Sequence, residues 1–174
     1  MLNKKILIAT VMMSFSILSQ AENGFLSSSI GRATFDGGDY DDEDMSLTFG
    51  GGVQASEWVA FEFLYSDYGE MTGNTEKIKG KSLTLSALGT YVIAEGLTIF
   101  GRVGVESYKF GEVGSGLESE FGNALVWGLG YFYRLDKRWT FTGELQLHNI
   151  ELDETLANRD VDLSTVSIGV KYGL

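Results

Sequence analysis

The sequence predicts an all-β protein, an eight-stranded antiparallel up-and-down β-barrel that spans a membrane. Three observations predict it. Apolar and polar residues alternate with period two in segments that recur roughly every ten to fourteen residues, and no segment keeps apolar residues at helical spacing. Short connections alternate with longer ones along the chain. The bulky apolar residues of each segment share one parity, which places them on one face of a strand.

The first 21 residues have the three parts of a secretory signal peptide. Lys4 and Lys5 form a short basic region, residues 6–18 are almost all apolar, and small residues follow where signal peptidase would cut. The apolar run is shorter than the ~20 residues that a spanning helix needs. We therefore expect residues 1–21 to be a cleaved signal peptide and 22–174 to be the barrel.

Eight segments of the remaining chain carry the alternation. They are 25–35, 45–54, 59–66, 82–93, 97–106, 124–134, 139–148 and 165–174. The last is the clearest, because Val166, Ile168 and Val170 alternate with small or polar residues. The first leaves open which of its two faces is apolar.

The connections indicate the architecture. Those at 56–57, 94–96 and 135–138 are tight, whereas those at 37–44, 70–80, 111–120 and 153–160 are longer and polar. Short turns at one end and long loops at the other are typical of an outer-membrane barrel. A soluble sandwich or lipocalin-like barrel would instead need its large apolar faces to point inward.

The volume of the residues decides which face points inward. An eight-stranded barrel has an interior that side chains just fill. In the sixth segment Trp127, Leu129 and Tyr131 alternate with Gly128 and Gly130, and only the small set fits inside. The large residues must therefore face lipid. Together with the signal peptide, this predicts the outer membrane of a Gram-negative cell.

Four aromatic residues share the lipid-facing parity near the short-turn end, where they would form a girdle at the headgroups. They are Tyr91, Tyr133, Trp139 and Tyr172.

Composition and charge exclude several classes of function. The 174 residues include no Cys, so disulfide frameworks, thiol nucleophiles and zinc-thiolate sites are excluded. The 13 Lys and Arg against 24 Asp and Glu give a formal net charge of -11, which disfavours nucleic acid as a partner.

The chain resembles the small OmpA-like and OmpX-like outer-membrane β-barrel family. The resemblance rests on GGGVQASEWVAFEFLYSDYG at 50–69, GLTIFGRVGVESY at 96–108, GLGYFYRLDKRWTFTGELQL at 128–147 and SIGVKYGL at 167–174. In the last stretch Ser167, Gly169, Tyr172 and Leu174 match the terminal signal that the family's barrel assembly machinery recognises, with Leu174 in place of the usual Phe.

The resemblance implies a monomeric barrel, without a peptidoglycan-binding domain, in contact with outer-membrane lipid and lipopolysaccharide. It implies roles in adhesion to a host or cell-surface ligand, in resistance, or in envelope integrity.

Six charged residues are predicted to face the lumen, where an ionised group must be paired to avoid a large desolvation cost. They are Glu62, Arg102, Glu106, Arg134, Glu144 and Lys171. We expect an internal salt-bridge network, which either plugs the barrel or gates a narrow channel. The resemblance places Glu62 and Glu144 at positions similar to lumenal carboxylates proposed to gate a water path.

The first long connection is strongly acidic, with Asp36, Asp39, Asp41, Asp42, Glu43 and Asp44. An EF-hand beginning at Asp39 would need Gly and Glu where the chain has Asp44 and Gly50, so no protein-held metal site is predicted. The remaining alternatives are a solvated anionic loop and a loop that Ca²⁺ or Mg²⁺ bridges to lipopolysaccharide phosphates.

Catalysis has one histidine, His148, on the lumenal parity. Barrel-type lipid A deacylases need a Ser two residues after this His, and Ile150 is there instead. A base without a nucleophile is not a catalytic site, so we expect neither an enzyme nor a cofactor. A lipid-modifying enzyme is therefore the weakest of the three functions, after an envelope or adhesion barrel and a gated channel.

Overall fold

Eight antiparallel strands make up the described part of the chain. The computed structural model describes residues 23–37, 40–72, 77–112, 120–151 and 160–174. The strands are β1 (Gly24–Gly37), β2 (Tyr40–Gln54), β3 (Val59–Thr72), β4 (Lys77–Ala94), β5 (Leu97–Glu112), β6 (Glu120–Arg134), β7 (Trp139–Glu151) and β8 (Asp160–Gly173). Each pairs with its neighbours in sequence, and β8 pairs with β1, so the sheet closes. The predicted fold class is confirmed.

The strands are longer at one end of the barrel than the sequence predicts. Pairing of β1 with β2 continues to Gly37 opposite Tyr40, and pairing of β3 with β4 continues to Thr72 opposite Lys77. The expected loops at 37–44 and 70–80 are therefore mostly paired strand, and this prediction is wrong. Outside the bilayer a ladder of backbone hydrogen bonds needs no apolar alternation, so the pattern that marks a strand stops before the strand does.

The remaining connections are three tight turns and two longer segments. The tight turns are 55–58, 95–96 and 135–138, close to prediction. The connections between β5 and β6 and between β7 and β8 lie outside the described residues, as does the predicted signal peptide at 1–21. None of the described residues belongs to a helix long and apolar enough to cross a bilayer.

The bulky parity faces outward, as the volume argument predicts. Leu129 is 70% exposed and Trp127 51% exposed, although both are large and apolar. At the short-turn end Trp139 packs edge-on against Tyr172, with ring centroids 4.9 Å apart. Trp58, in the first short turn, adds a further aromatic group to this girdle.

Side chains fill the lumen in layers. Phe25, Ala60, Leu88 and Phe100 form a buried apolar layer near the short turns, with Phe132 packed against it. A second apolar layer lies toward the long-loop end and consists of Ala33, Phe35, Tyr68, Tyr108, Phe110, Ala124 and Leu163. These two layers, called here the turn-end layer and the loop-end layer, also settle the face of β1 that the sequence left open. Both layers contain residues of β1 that face inward.

Candidate functional site

Among the described residues, a group of buried charged side chains lies in the lumen around Arg102 on β5. Its Nε is 2.5 Å from Glu144 Oε1 on β7, and its Nη2 is 2.6 Å from Glu62 Oε2 on β3. Nη1 donates to Ser86 Oγ on β4 at 2.5 Å. One guanidinium therefore connects three other strands across the barrel. Its planar fork of donors suits two carboxylates at once.

Lys171 on β8 completes this group. Its Nζ forms an ion pair with Glu62 Oε1, the carboxylate oxygen that Arg102 does not use. The ammonium also lies 4.3 Å from the centroid of the Phe25 ring and 4.0 Å from that of Phe132. Cation–π contacts of this kind are worth more when the charge is desolvated. Lys171 thus joins the ion pairs to the turn-end layer.

Glu62, Arg102, Glu144 and Lys171 are called here the charge cluster. Two cations and two anions make it formally neutral, and the side chains of Arg102 and Glu62 are 2% and 1% exposed. Burying four ions is costly, and close pairing offsets that cost. The sum of charges is zero only while all four remain, so losing any one leaves a net charge buried in the lumen.

A second polar group lies one layer closer to the loop end and centres on Glu106 of β5. Its Oε2 accepts hydrogen bonds from Tyr68 Oη at 2.9 Å and Thr84 Oγ1 at 3.0 Å, and it lies 3.0 Å from His148 Nδ1. Tyr68 Oη is also 2.9 Å from Ser82 Oγ. Glu106, His148, Tyr68, Thr84 and Ser82 are called here the carboxylate–histidine cluster.

Two buried polar atoms of this second cluster have no hydrogen-bond partner in the described part of the chain. They are Glu106 Oε1 and His148 Nε2. Hydrolytic triads use the histidine nitrogen opposite the carboxylate to activate a nucleophile. Within the described residues no hydroxyl is bonded to that nitrogen.

Tyr68 keeps the lumenal parity of β3 and lies at a bulge in that strand. The register of β3 against β4 shifts between Asp67 and Glu70. Within the bulge Gly69 has φ +79°, a conformation that favours glycine. Asp44 Oδ2 of β2 accepts the Glu70 N–H at 2.5 Å and so replaces a ladder bond. The bulge therefore adjoins the residue whose phenol donates to Glu106.

The structure brings Glu62, Arg102, Glu144 and Lys171 together, but it separates the other two charged residues predicted to face the lumen. Glu106 joins the second cluster, with a histidine that the sequence argument left alone. Arg134 is exposed at the last position of β6.

Partners that the prediction did not name are Ser86, Tyr68 and Thr84. All three have even numbers on β3 or β4, the lumenal parity of those strands, which was the available signal.

The acidic residues of the first hairpin have different surroundings. Glu43 pairs with Arg32 at 2.5 Å, and Asp44 on β2 accepts a hydrogen bond from the Glu70 N–H at the β3 bulge. Asp39 lies outside the described residues, and the side chains of Asp36, Asp41 and Asp42 are likewise not described. Among the described residues no group of three His, Asp or Glu is placed to hold a metal ion.

The residues of the predicted assembly signal lie along β8. Ser167 and Gly169 have lumenal parity and are half-buried. Tyr172 Oη accepts a hydrogen bond from Arg138 Nη1 at 2.7 Å, and the Leu174 N–H donates to the Gly24 carbonyl at 2.9 Å. The end of the chain is thus bonded to the beginning of β1.

One cavity adjoins the charge cluster. It measures about 30 Å³, which is room for about two water molecules. Arg102, Glu144 and Lys171 line it together with polar residues, among them Gln146 and Ser27, and the buried Ser27 hydroxyl has no partner among the described residues. The lumen therefore contains a small polar space beside the charge cluster.

Comparisons with known proteins agree with this architecture. A family model described as "Outer membrane protein beta-barrel domain" matches residues 7–173. No curated protein gives a significant match.

Among solved structures, Neisserial surface protein A has a TM-score of 0.74 at 14% identity, over 87% of this chain and 97% of that one. OprG from Pseudomonas aeruginosa has a TM-score of 0.65 at 14% identity, over 88% and 96%. Ail, the attachment invasion locus protein of Yersinia pestis, solved with the heparin analogue sucrose octasulfate, has 0.55 at 16%, over 87% and 99%. At these identities the likeness is one of fold.

Proposed function

The chain belongs to the outer membrane protein beta-barrel domain family and is located in the cell outer membrane, and from this premise we propose that it is a closed barrel acting at the cell surface. The observation that carries the proposal is the charge cluster between two apolar layers. In this proposal the neutral, paired cluster acts as a plug that keeps a continuous aqueous path from forming through the lumen. The groups that can bind a partner are then those on the outer surface of the barrel.

The surface that we assign to partners is the acidic hairpin of β1 and β2. Glu43 forms an ion pair with Arg32 and Asp44 accepts the Glu70 N–H, so Asp36, Asp39, Asp41 and Asp42 are the candidates for external contact. An acidic segment attracts basic surfaces and repels polyanions. The partner proposed here is therefore a positively charged protein surface, unlike the polyanion solved with Ail. The role is adhesion or envelope resistance.

Neutralising the four candidate acids tests this function. Cells that lack the gene would be complemented with wild-type protein or with the variant Asp36→Asn, Asp39→Asn, Asp41→Asn, Asp42→Asn. We expect adherence and detergent resistance to return with wild-type protein and adherence to fall with the variant. The matched control is Glu57→Gln with Glu95→Gln, in the opposite turns. Equal adherence of both variants and the wild type would contradict the proposal.

A narrow gated channel is the second candidate, and the polar cavity beside Arg102 favours it. Opening would require Arg102 to exchange Glu62 or Glu144 for another partner. Discrete openings in a planar bilayer, with a frequency that changes in Glu144→Gln, would support this function over the first.

We propose no enzymatic activity. His148 and Glu106 form an acid–base pair, but His148 Nε2 has no hydroxyl or thiol bonded to it among the described residues. Deacylation of a lipid A substrate that is lost in His148→Ala would contradict this view.

A further inference from the structure

Three lysines lie side by side on the outer wall of a strongly acidic protein. Lys79 and Lys81 occupy successive outward positions of β4, and Lys109 occupies an outward position of β5. The next outward position of β4 is Leu83, which is exposed. It belongs to the band of outward-facing apolar residues that contacts lipid, called here the apolar belt. The lysines therefore begin where the belt ends.

The height of the belt locates these lysines in the membrane. Outward apolar residues on β4 extend from Leu83 to Ile93. Ten residues span roughly 33 Å along a strand, which is roughly 25 Å along the membrane normal at the usual tilt of about 40°. That is about the height of the lipid-facing band of an outer-membrane barrel. Because long connections face the exterior, the lysines lie at the headgroups of the outer leaflet.

Two of these lysines face each other directly. In the ladder of β4 and β5, Lys81 is paired with Lys109. Like charges at directly opposite positions of a sheet destabilise it. Asp67 offsets part of this repulsion, because its Oδ2 is 3.4 Å from Lys81 Nζ. No described carboxylate lies within ion-pair distance of Lys109, whose Nζ is 5.1 Å from the centroid of the Phe121 ring.

We propose that Lys81 and Lys109, with Lys79 beside them, bind a phosphate group of lipopolysaccharide in the outer leaflet. A phosphate between the two ammonium groups replaces their repulsion with two attractions. The acyl chains of the same lipid then lie on the apolar belt that begins at Leu83. The charge of the rest of the protein does not provide this attraction, since the formal net charge is -11. Asp67 and Glu70 face Lys81 and Lys79 in the β3–β4 ladder, so the three lysines leave this patch with a formal charge of +1. The patch is continuous with the lipid-facing surface.

Lipid A binding to the full-length folded protein tests the site. The protein would be placed in phosphatidylcholine nanodiscs in EDTA, and bound lipid A would be counted by native mass spectrometry. Each lysine near a charged membrane surface contributes about a factor of five in affinity, so Lys81→Gln with Lys109→Gln should weaken binding roughly thirty-fold. Lys137→Gln, in the short turn at the opposite end, should leave binding unchanged.

A gain of affinity provides the second arm. Asp67→Asn removes the competing carboxylate and keeps the Oδ1 atom that accepts the Gly69 N–H at 3.2 Å. This variant should bind lipid A more tightly than wild type does. Lipid A without phosphates should bind the wild type as weakly as phosphorylated lipid A binds the double variant. Unchanged binding by the double variant would overturn the site. So would equal binding of dephosphorylated lipid A, or binding that appears only with Mg²⁺, which would indicate a cation-bridged acidic hairpin.

Discussion

Arg102 determines the arrangement of the residues that close the lumen. Its guanidinium bonds Glu62, Glu144 and Ser86, and these lie on three different strands. A lysine at this position has no fork of donors and could not bridge both carboxylates in the same geometry. The cluster therefore depends on the shape of the arginine as well as on its charge.

Removing Arg102 should lower the free energy of unfolding by more than its own hydrogen bonds contribute. In Arg102→Met, Glu62 and Glu144 remain buried with only Lys171 to balance them, and breaking a buried pair costs about 3–5 kcal/mol. We expect the midpoint of urea unfolding in detergent micelles to fall accordingly. Arg102→Met with Glu144→Gln restores neutrality and should recover part of the loss. If the double variant were no more stable than the single one, charge balance would not be what the cluster provides.

At the scale of strands, two glycines of the described residues have a positive φ and differ in their surroundings. Gly69 has φ +79° inside the β3 bulge, and Gly96 has φ +78° in the turn between β4 and β5. A Cβ on Gly69 would lie 2.3 Å from Asp44 Oδ2, whereas a Cβ on Gly96 would lie 3.7 Å from its nearest neighbour, the Arg134 carbonyl oxygen. The two sites therefore share a backbone cost and differ in crowding.

Alanine at these two positions separates the contributions. Gly96→Ala should lower the free energy of unfolding by about 1–2 kcal/mol, the cost of a left-handed residue. Gly69→Ala carries the same cost and also displaces Asp44 from the Glu70 N–H, for a total of about 2–4 kcal/mol. Urea titrations of both proteins measure the difference. Equal losses would mean that Asp44 does not support the bulge.

The turn between β6 and β7 gives a pH-dependent test. Asp136 Oδ1 accepts the N–H groups of Arg138 at 2.7 Å and Trp139 at 2.8 Å, and these bonds lower the pKa of Asp136 below its ordinary 3.8. A lowered folded-state pKa stabilises the protein above the unfolded pKa, and that contribution is lost as pH falls through the folded value. Asp136→Ala should therefore unfold at a lower temperature at pH 7.

The difference in melting temperature between wild type and Asp136→Ala should shrink as the pH is taken below 3.8. Asp136→Asn keeps the accepting oxygen without a charge, so its own melting temperature should lie between the two at pH 7. A difference that stays constant down to strongly acidic pH would show that the carboxylate is not what holds the turn.

The sequence predicts the elements well where the bilayer imposes alternation, and poorly elsewhere. Val166, Ile168 and Val170 mark β8 because lipid requires apolar side chains on one face. On β1 the alternation is hidden, because Phe25 and Phe35 fill the lumen while Leu26 and Ile30 face outward. The parity of a residue within its strand is the basis for predicting which charged side chains face the lumen. Pairing depends on height along the barrel, which separates Arg134 from Arg102 and brings His148 to Glu106.

The whole molecule has two surfaces with opposite requirements. The outer wall is apolar because it contacts lipid, while the lumen holds polar and charged groups that must satisfy one another without bulk water. Apolar layers lie toward its two ends, with the charge cluster between them. Stability and closure therefore depend on the same residues, so a variant can be tested for both properties at once.

Conductance across a planar bilayer, recorded for purified wild-type protein and for Glu144→Gln at both polarities, tests closure most directly. Insertion would be verified by the heat-dependent shift in gel mobility of the recovered protein. We expect background conductance for both proteins, together with a lower melting temperature for Glu144→Gln in detergent, because Arg102 loses its bidentate partner. Discrete wild-type openings, changed in size or frequency by Glu144→Gln, would contradict a closed barrel and establish the charge cluster as a gate.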